Sequence, residues 1–583
     1  MMTNRVMRSF VSLLLMLAIA TLSGCSWQQF ANSMDSSADY AFVNGFVYTM
    51  DEKNPKAQAV AVKGNKIIYV GNEAGLSKVL DDKSEVIDLA GKMVLPGFVE
   101  GHIHAISGGL VMNGVDLQTD DPEEILARIR KYVKESDEEV ILGYGIRLHL
   151  WDNGFPTAAM LDEIESERPI YLWAIDAHSA WVNSKALEIA GIDKNTPDTV
   201  PGYSYFVRDE EKKPLGWVVE LPAQMQVLTS IIKFDNAFIK KGLAEWLPRF
   251  SEAGITTVHD MGIQGIPQED GYEIFMEIEK EGKLPVRLQG VYYWNDPKVD
   301  PVPLLQDMRK RYSTELVKAR DLKVNLDGGD FSRNALMLEP YEDKPDVVAK
   351  PIIPYDVLND VVTRADAAGI NSACHCFGDL AVRKFLDAVE VATKENPDRD
   401  RRYVVSHGVL VHPDDYPRFK ELNTTYDSSG AWMVLDPRRE TISMERLGAK
   451  RVNMEFPMKA VADAGGNISL GTDWPASAYL STFNPLVAIQ GAVTRQPQGK
   501  PDHPILGGEK ARVPLEMALK AQTLGSAYGM NVDDTVGSLQ VGKLADLVVL
   551  EKNLFDISPY EIGDVKVIYT MMNGKFVYRV NSD

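Results

Sequence analysis

The chain begins and ends in short alternating stretches. Residues 41–48 alternate apolar and polar side chains, and residues 59–70 repeat the pattern on both sides of Gly64-Asn65. A period of two reads as strand, and the Gly-Asn pair reads as a hairpin turn. Residues 544–550 and 565–578 have the same texture, the second broken by Asn573-Gly574. Asn-Gly between alternating runs is a strong hairpin signal, because both residues tolerate positive φ. Two β-rich ends around a different middle predict that residues 39–93 and 530–583 pair into one composite β-sandwich.

The middle alternates strand and helix periods. Candidate strands span 94–104, 255–262, 286–294, 321–328, 370–378, 403–410, 424–430 and 467–474, with helical patterns such as 357–368 and 380–395 between most of them. Eight such strands predict an α/β fold of the (β/α)8 barrel type over residues 94–115 and 225–529. The spacing is uneven, with about 150 residues between the first strand and the second. Structureless loops of that length are foreign to compact domains. Residues 116–224 are therefore expected to form an inserted α/β domain.

Composition narrows the partners. The 583 residues are 45% hydrophobic and 25% charged, ordinary for a globular protein with a large core. A net charge of −21 argues against nucleic acid or an anionic membrane surface as main partner. Such an acidic surface speaks of solubility more than of substrate; assembly as a homodimer is a further expectation. The N-terminus reads differently. Arg5 and Arg8 precede an apolar run over 10–22 that is too short to span a bilayer, which suits an export signal. The run ends in Leu22-Ser23-Gly24-Cys25, which resembles a bacterial lipobox. The resemblance implies a signal peptide over 1–24, lipid on the Cys25 sulfur and a tether over 25–38. It implies membrane attachment through that anchor on the periplasmic side, with Ser26 favouring the outer membrane. No later stretch is long and apolar enough for a transmembrane helix.

Histidine placement carries the chemistry. His102 and His104 sit at i and i+2 on the first barrel strand, so they project from one face. At the C-terminal end of a barrel strand that face looks into the mouth, and two close imidazoles are natural transition-metal ligands. His375 and His407 end two further strands, and Asp473 ends the last. Four of nine histidines at converging strand ends are poorly explained by chance. Cys374 and Cys376 flank His375, and the strand period sends both to the opposite face, into the core. They are too close for a good disulfide.

The string from Leu95 to His104 (Leu-Pro-Gly-Phe-Val-Glu-Gly-His-Ile-His) resembles the first barrel strand of the amidohydrolase superfamily. The best match is amidohydrolase family 3, the branch containing N-substituted formamide deformylase. Residues 176–187, His375-Cys376-Phe377-Gly378-Asp379, Gly471-Thr472-Asp473-Trp474-Pro475 and residues 537–546 resemble it too. The likeness extends over about residues 40–580. It implies a divalent metal, zinc first, as one or two ions. Its ligands would be His102, His104, Lys323, His375, His407 and Asp473. Lys323 falls on the fourth strand, in a string similar to the family's Lys-x-x-x-Asp-Gly. In many amidohydrolases that lysine is carbamylated and bridges two metals; the other reading is an unmodified, salt-bridged lysine beside one metal. Both stay open here.

The resemblance implies hydrolysis of a carbon–nitrogen bond other than a peptide bond, in a small amide-like substrate. Asp473 is expected to move the proton from water to the leaving nitrogen, and His407 or His178 to hold the developing oxyanion. Deaminases of the superfamily carry His-x-x-Glu on the fifth strand, where this chain has Gly378. Ester-like and cyclic amide substrates are alternatives, as is a non-catalytic solute-binding lipoprotein. Weaker candidates are His259 as a pocket or structural residue, and Asp327 and Asp379 as residues orienting neighbours. Arg147, Trp151 and Trp474 are candidates for shaping the pocket. His149, His412 and His503 read as surface or loop residues.

Overall fold

A computed structural model describes residues 37–580 except 113, 148, 149, 152–154, 234 and 478. The expected signal peptide, Cys25, all but the last two tether residues and His149 lie outside the described residues. Among those described, no helix is long and apolar enough to cross a membrane.

Eight parallel strands form the central barrel. They are β1 (Phe98–Ile103), β2 (Ile255–Asp260), β3 (Arg287–Trp294), β4 (Val317–Asn325), β5 (Ser372–Cys376), β6 (Tyr403–His407), β7 (Thr424–Ser429) and β8 (Ile468–Gly471). Ladders link each strand to the next. The seam between β8 and β1 closes just past the strand ends: Asp473 N–H donates to His102 O at 2.7 Å, and His104 N–H to Trp474 O at 2.9 Å. Alternation sorts the strand residues. On β4, Leu322 and Val324 join the apolar layer under the helices, and so do Cys374, Cys376 and Val405 of β5 and β6. Both cysteines are free and buried.

The expected single strand over 94–104 is two. Met93–Pro96 belongs to a six-stranded sheet, and only Phe98–Ile103 belongs to the barrel. Gly97 is the joint: a Cβ there would lie 2.4 Å from Thr256 Cγ2. The six-stranded sheet runs Lys575–Arg579, Val567–Met572, Leu547–Leu550, Met93–Pro96, Phe46–Tyr48, Lys56–Ala57, so three strands from the C-terminal end join three from the N-terminal end where Leu547–Leu550 pairs with Met93–Pro96. A four-stranded sheet packs on it through Phe42, Val60, Val62, Ile67, Leu547 and Val549. Asn573 (φ 50°) and Gly574 (φ 71°) make the last hairpin turn. A buried Arg287–Asp546 pair at 2.7 Å ties this sheet to β3.

Between β1 and β2 lies a third sheet of six strands, in the order Tyr205–Arg208, Pro214–Val219, Ser179–Val182, Ile170–Ala174, Ile141–Ile146, Val115–Asp116. It has its own apolar core around Leu117, Ile129, Leu172, Trp181 and Trp217. The helix Pro122–Glu135 covers one face with Ile125 and Ile129, one turn apart, and Asp121 caps its start.

Candidate metal centre

A cavity of about 670 Å³ opens at the C-terminal ends of the barrel strands. β1 delivers His102 and, just beyond it, His104. β4 delivers Lys323, β5 His375, β6 His407, and the turn after β8 Asp473. All six line this cavity. Asp473 is the hub. His102 Nε2 and His104 Nε2 each lie 3.3 Å from its Oδ1, and His407 Nδ1 lies 3.5 Å from its Oδ2. His102, His407 and Asp473 each offer one ligand atom within 4.8 Å of the others. His375 sits beside them, its ring centroid 4.2 Å from that of His407.

The lone pairs are aimed inward by hydrogen bonds at the far side of each ring. His102 Nδ1–H donates to Asp427 Oδ2 at 3.0 Å, and His104 Nδ1–H to Gly262 O at 2.8 Å. In that tautomer each Nε2 is free to ligate. Buried polar atoms normally find partners. Yet His102 Nε2, His375 Nε2, His407 Nδ1 and Lys323 Nζ are all buried without a hydrogen-bond partner. Three imidazole nitrogens in one cavity without a partner, beside a carboxylate, fit a divalent cation; the Lys323 amine fits one only once it is neutral or carbamylated.

Electrostatics agree. Burial, reinforced by the Lys323 ammonium, holds His102, His375 and His407 well below the ordinary imidazole range, in the neutral ligand form. Burial also disfavours charge on His104, but the Asp473 carboxylate outweighs it and raises that ring. Burial lowers the Lys323 amine against the pull of Asp473 and Asp427. The backbone is strained where the ligands sit: His407 has φ 70° and Asp473 φ 58°. Such positions cost about 1–3 kcal/mol each and cluster at functional sites.

The third sheet roofs the cavity. His178, in the turn before Ser179–Val182, and Glu220, just after Pro214–Val219, both line it. His178 Nδ1–H donates to Glu220 Oε2 at 2.9 Å. That carboxylate raises His178 to about 9, so the ring is an imidazolium at neutral pH. Leu110, Val111, Leu221, Met225 and Leu228 form an apolar wall beside the polar floor.

Three expected pocket residues are elsewhere. Arg147 stacks on Tyr479 at 3.9 Å and pairs with Asp120 at 2.6 Å, in a separate cleft. Trp151 packs on Trp181 at 5.6 Å. Trp474 is fully buried among Trp246, Phe250 and Phe483; a Cβ on Gly108 would lie 1.8 Å from its ring, so the chain needs glycine there. Trp474 points away because the turn after β8 turns Asp473 inward and the next residue outward. His259 is buried on β2, 3.9 Å from Asp321, and does not line the cavity. Asp327 accepts from the Phe377, Gly378 and Leu336 N–H groups at 3.0 Å, and Asp379 from Leu338 N–H at 2.8 Å. His412 caps a short turn, and His503 faces Glu440 at 3.2 Å. Sequence reasoning missed Asp427 and Glu220. An inward acid on a strand could have flagged the first; nothing local marks the second.

A closed parallel barrel with convergent imidazoles and one carboxylate at its mouth defines a metal-dependent hydrolase. The sequence profile of the amidohydrolase family matches residues 85–578. The protein LONG AFTER FAR-RED 3 of Arabidopsis thaliana is 30% identical over 93% of this chain and 92% of its own length. N-substituted formamide deformylase of Arthrobacter pascens is 26% identical over 94% of this chain and 99% of its own. A crystal structure of an uncharacterized metal-dependent hydrolase from Pyrococcus furiosus superposes with a TM-score of 0.68 at 25% identity, covering 88% of this chain and 99% of that one. The chain belongs to the amidohydrolase family.

Proposed function

We propose that the enzyme hydrolyses a carbon–nitrogen bond other than a peptide bond, in a small amide-like substrate that carries an apolar substituent. One observation carries this reading: the buried nitrogens of His102, His375, His407 and Lys323 face one cavity beside Asp473 without partners. The apolar wall of Leu110, Leu221, Met225 and Leu228 suits the substituent. The name of the Arthrobacter relative supports an N-substituted amide.

His102, His104, His375, His407 and Asp473 would hold the divalent ion, zinc in our reading. Such an ion supplies Lewis acidity, polarising the carbonyl and bringing the pKa of water from about 15.7 toward about 7. Lys323 would join as a carbamate in a two-metal centre; its partnerless amine, lowered by burial, supports that form over a salt-bridged one. Asp473 takes the proton of the attacking water and returns it to the leaving nitrogen, which departs only once protonated. His178, its Nδ1 tied to Glu220, has Nε2–H free to donate to the oxygen where charge develops. Residues 1–25 are read as the export signal and lipid anchor, supported by Arg5, Arg8, the apolar run and Cys25.

The test combines metal analysis of the purified protein with amine release from a panel of N-substituted formamides. Wild type should contain one or two divalent ions per chain and release amine; Asp473→Asn should not. Equal release by both would sink the catalytic assignment.

A further inference from the structure

Glu220 lines the cavity, yet hydrolysis as described asks nothing of it directly. It stands 42 residues from His178, and the two are joined twice. The carboxylate takes the Nδ1–H at 2.9 Å, and the Glu220 backbone N–H donates to His178 O at 2.7 Å. The Glu220 side chain is 5% exposed, while that of His178 is 50% exposed toward the cavity.

The backbone is the telling part. Glu220 has φ 63° and ψ 155°, a region that is in practice reserved for glycine. It precedes the helix Leu221–Ile231, but its side chain makes no capping hydrogen bond there. Helix capping therefore does not account for a carboxylate at this position. Ala177, next to His178, is also left-handed at φ 60°. Both ends of the pair are held in strained turns that aim one side chain at the other.

We propose that Glu220 is a positioning residue for the reaction: it holds and aims the His178 ring through Nδ1–H, so that the free Nε2–H points over the metal centre at the reacting carbonyl. This rests on the hydrolase reading above. A glutamate here then stands against the backbone's preference for glycine because its carboxylate holds the imidazole.

The test is a double-mutant cycle with a folding arm. His178→Ala and Glu220→Gly should each lower kcat about 100-fold, the scale of losing one oxyanion donor, with KM within about two-fold. The double variant should be no slower than His178→Ala, because the residues act as one unit. Glu220→Gln, whose amide oxygen still accepts from Nδ1–H but which lacks the carboxylate's charge, should recover rate toward lower pH only, with the alkaline limb of kcat moved down in pH. Glu220→Gly should melt no lower than wild type, an arm that needs no substrate. Losses that multiply in the double variant, or a lower melting temperature of Glu220→Gly at unchanged kcat, would overturn the proposal. A silent His178→Ala beside a dead Asp473→Asn would overturn it too, while leaving the hydrolase reading intact. An active Asp473→Asn would instead sink that reading, with the 178–220 coupling still legible in the same cycle.

Discussion

On the cavity floor, the side chains aimed at the centre come from barrel strands or from the residues just past them. On the roof they come from turns of a separate sheet. Lys323, His375 and His407 sit on strands with a ladder on each side, and His102 on β1, which is laddered to β2 and tied to the turn after β8 by the seam bonds. His178 and Glu220 sit in turns and depend on each other. The floor is mostly neutral nitrogen, suited to metal; the roof is an ion pair beside an apolar wall. In the proposed reaction the contrast is a division of labour: the laddered floor carries the metal chemistry, and the roof, built on turns, faces the substrate and aims His178.

That contrast can be broken at four points. Asp473→Asn touches the hub of the floor and should cost about 10³–10⁴ in kcat, the upper range for proton transfer, read by amine release. Asp427→Ala leaves the ligands in place but removes the acceptor that orients His102. It should weaken metal affinity about 10–100-fold, read by competition with a chelator; an unchanged affinity would mean the floor does not rely on this bond. On the roof, Met225→Ala should raise KM about ten-fold for a bulky apolar substituent, and change kcat little. The smallest effect is in pH. His178 is raised to about 9, so its donating form is present below that value and is lost as pH rises through it. The kcat profile should fall above about pH 9, and that limb should vanish in His178→Gln.

The floor was largely readable in the chain because strand geometry is periodic. His102 and His104, two residues apart, must share a face, and histidine is scarce enough for its placement to stand out. The second layer was not readable. Asp427 lies in a polar strand, Thr424–Ser429, without a motif, and its role exists only because β7 comes near β1 around the ring. Glu220 meets His178 through turns whose conformations no local residue pattern announces. Trp474 stood open between pocket wall and packing for a related reason: it neighbours Asp473 in the chain, yet the turn past β8 buries it against the glycine-bearing helix Ala105–Val111.

The strand Met93–Pro96, which leads through Gly97 straight into the first two histidines, lies hydrogen-bonded between Phe46–Tyr48 and Leu547–Leu550. Its second neighbour is made only in the last tenth of the chain. During synthesis the histidine-bearing segment emerges early but waits for the far end before its bed is complete. Quality control of biogenesis is thereby built into the topology: a chain interrupted short of residue 547 lacks the partner that seats its earliest ligands.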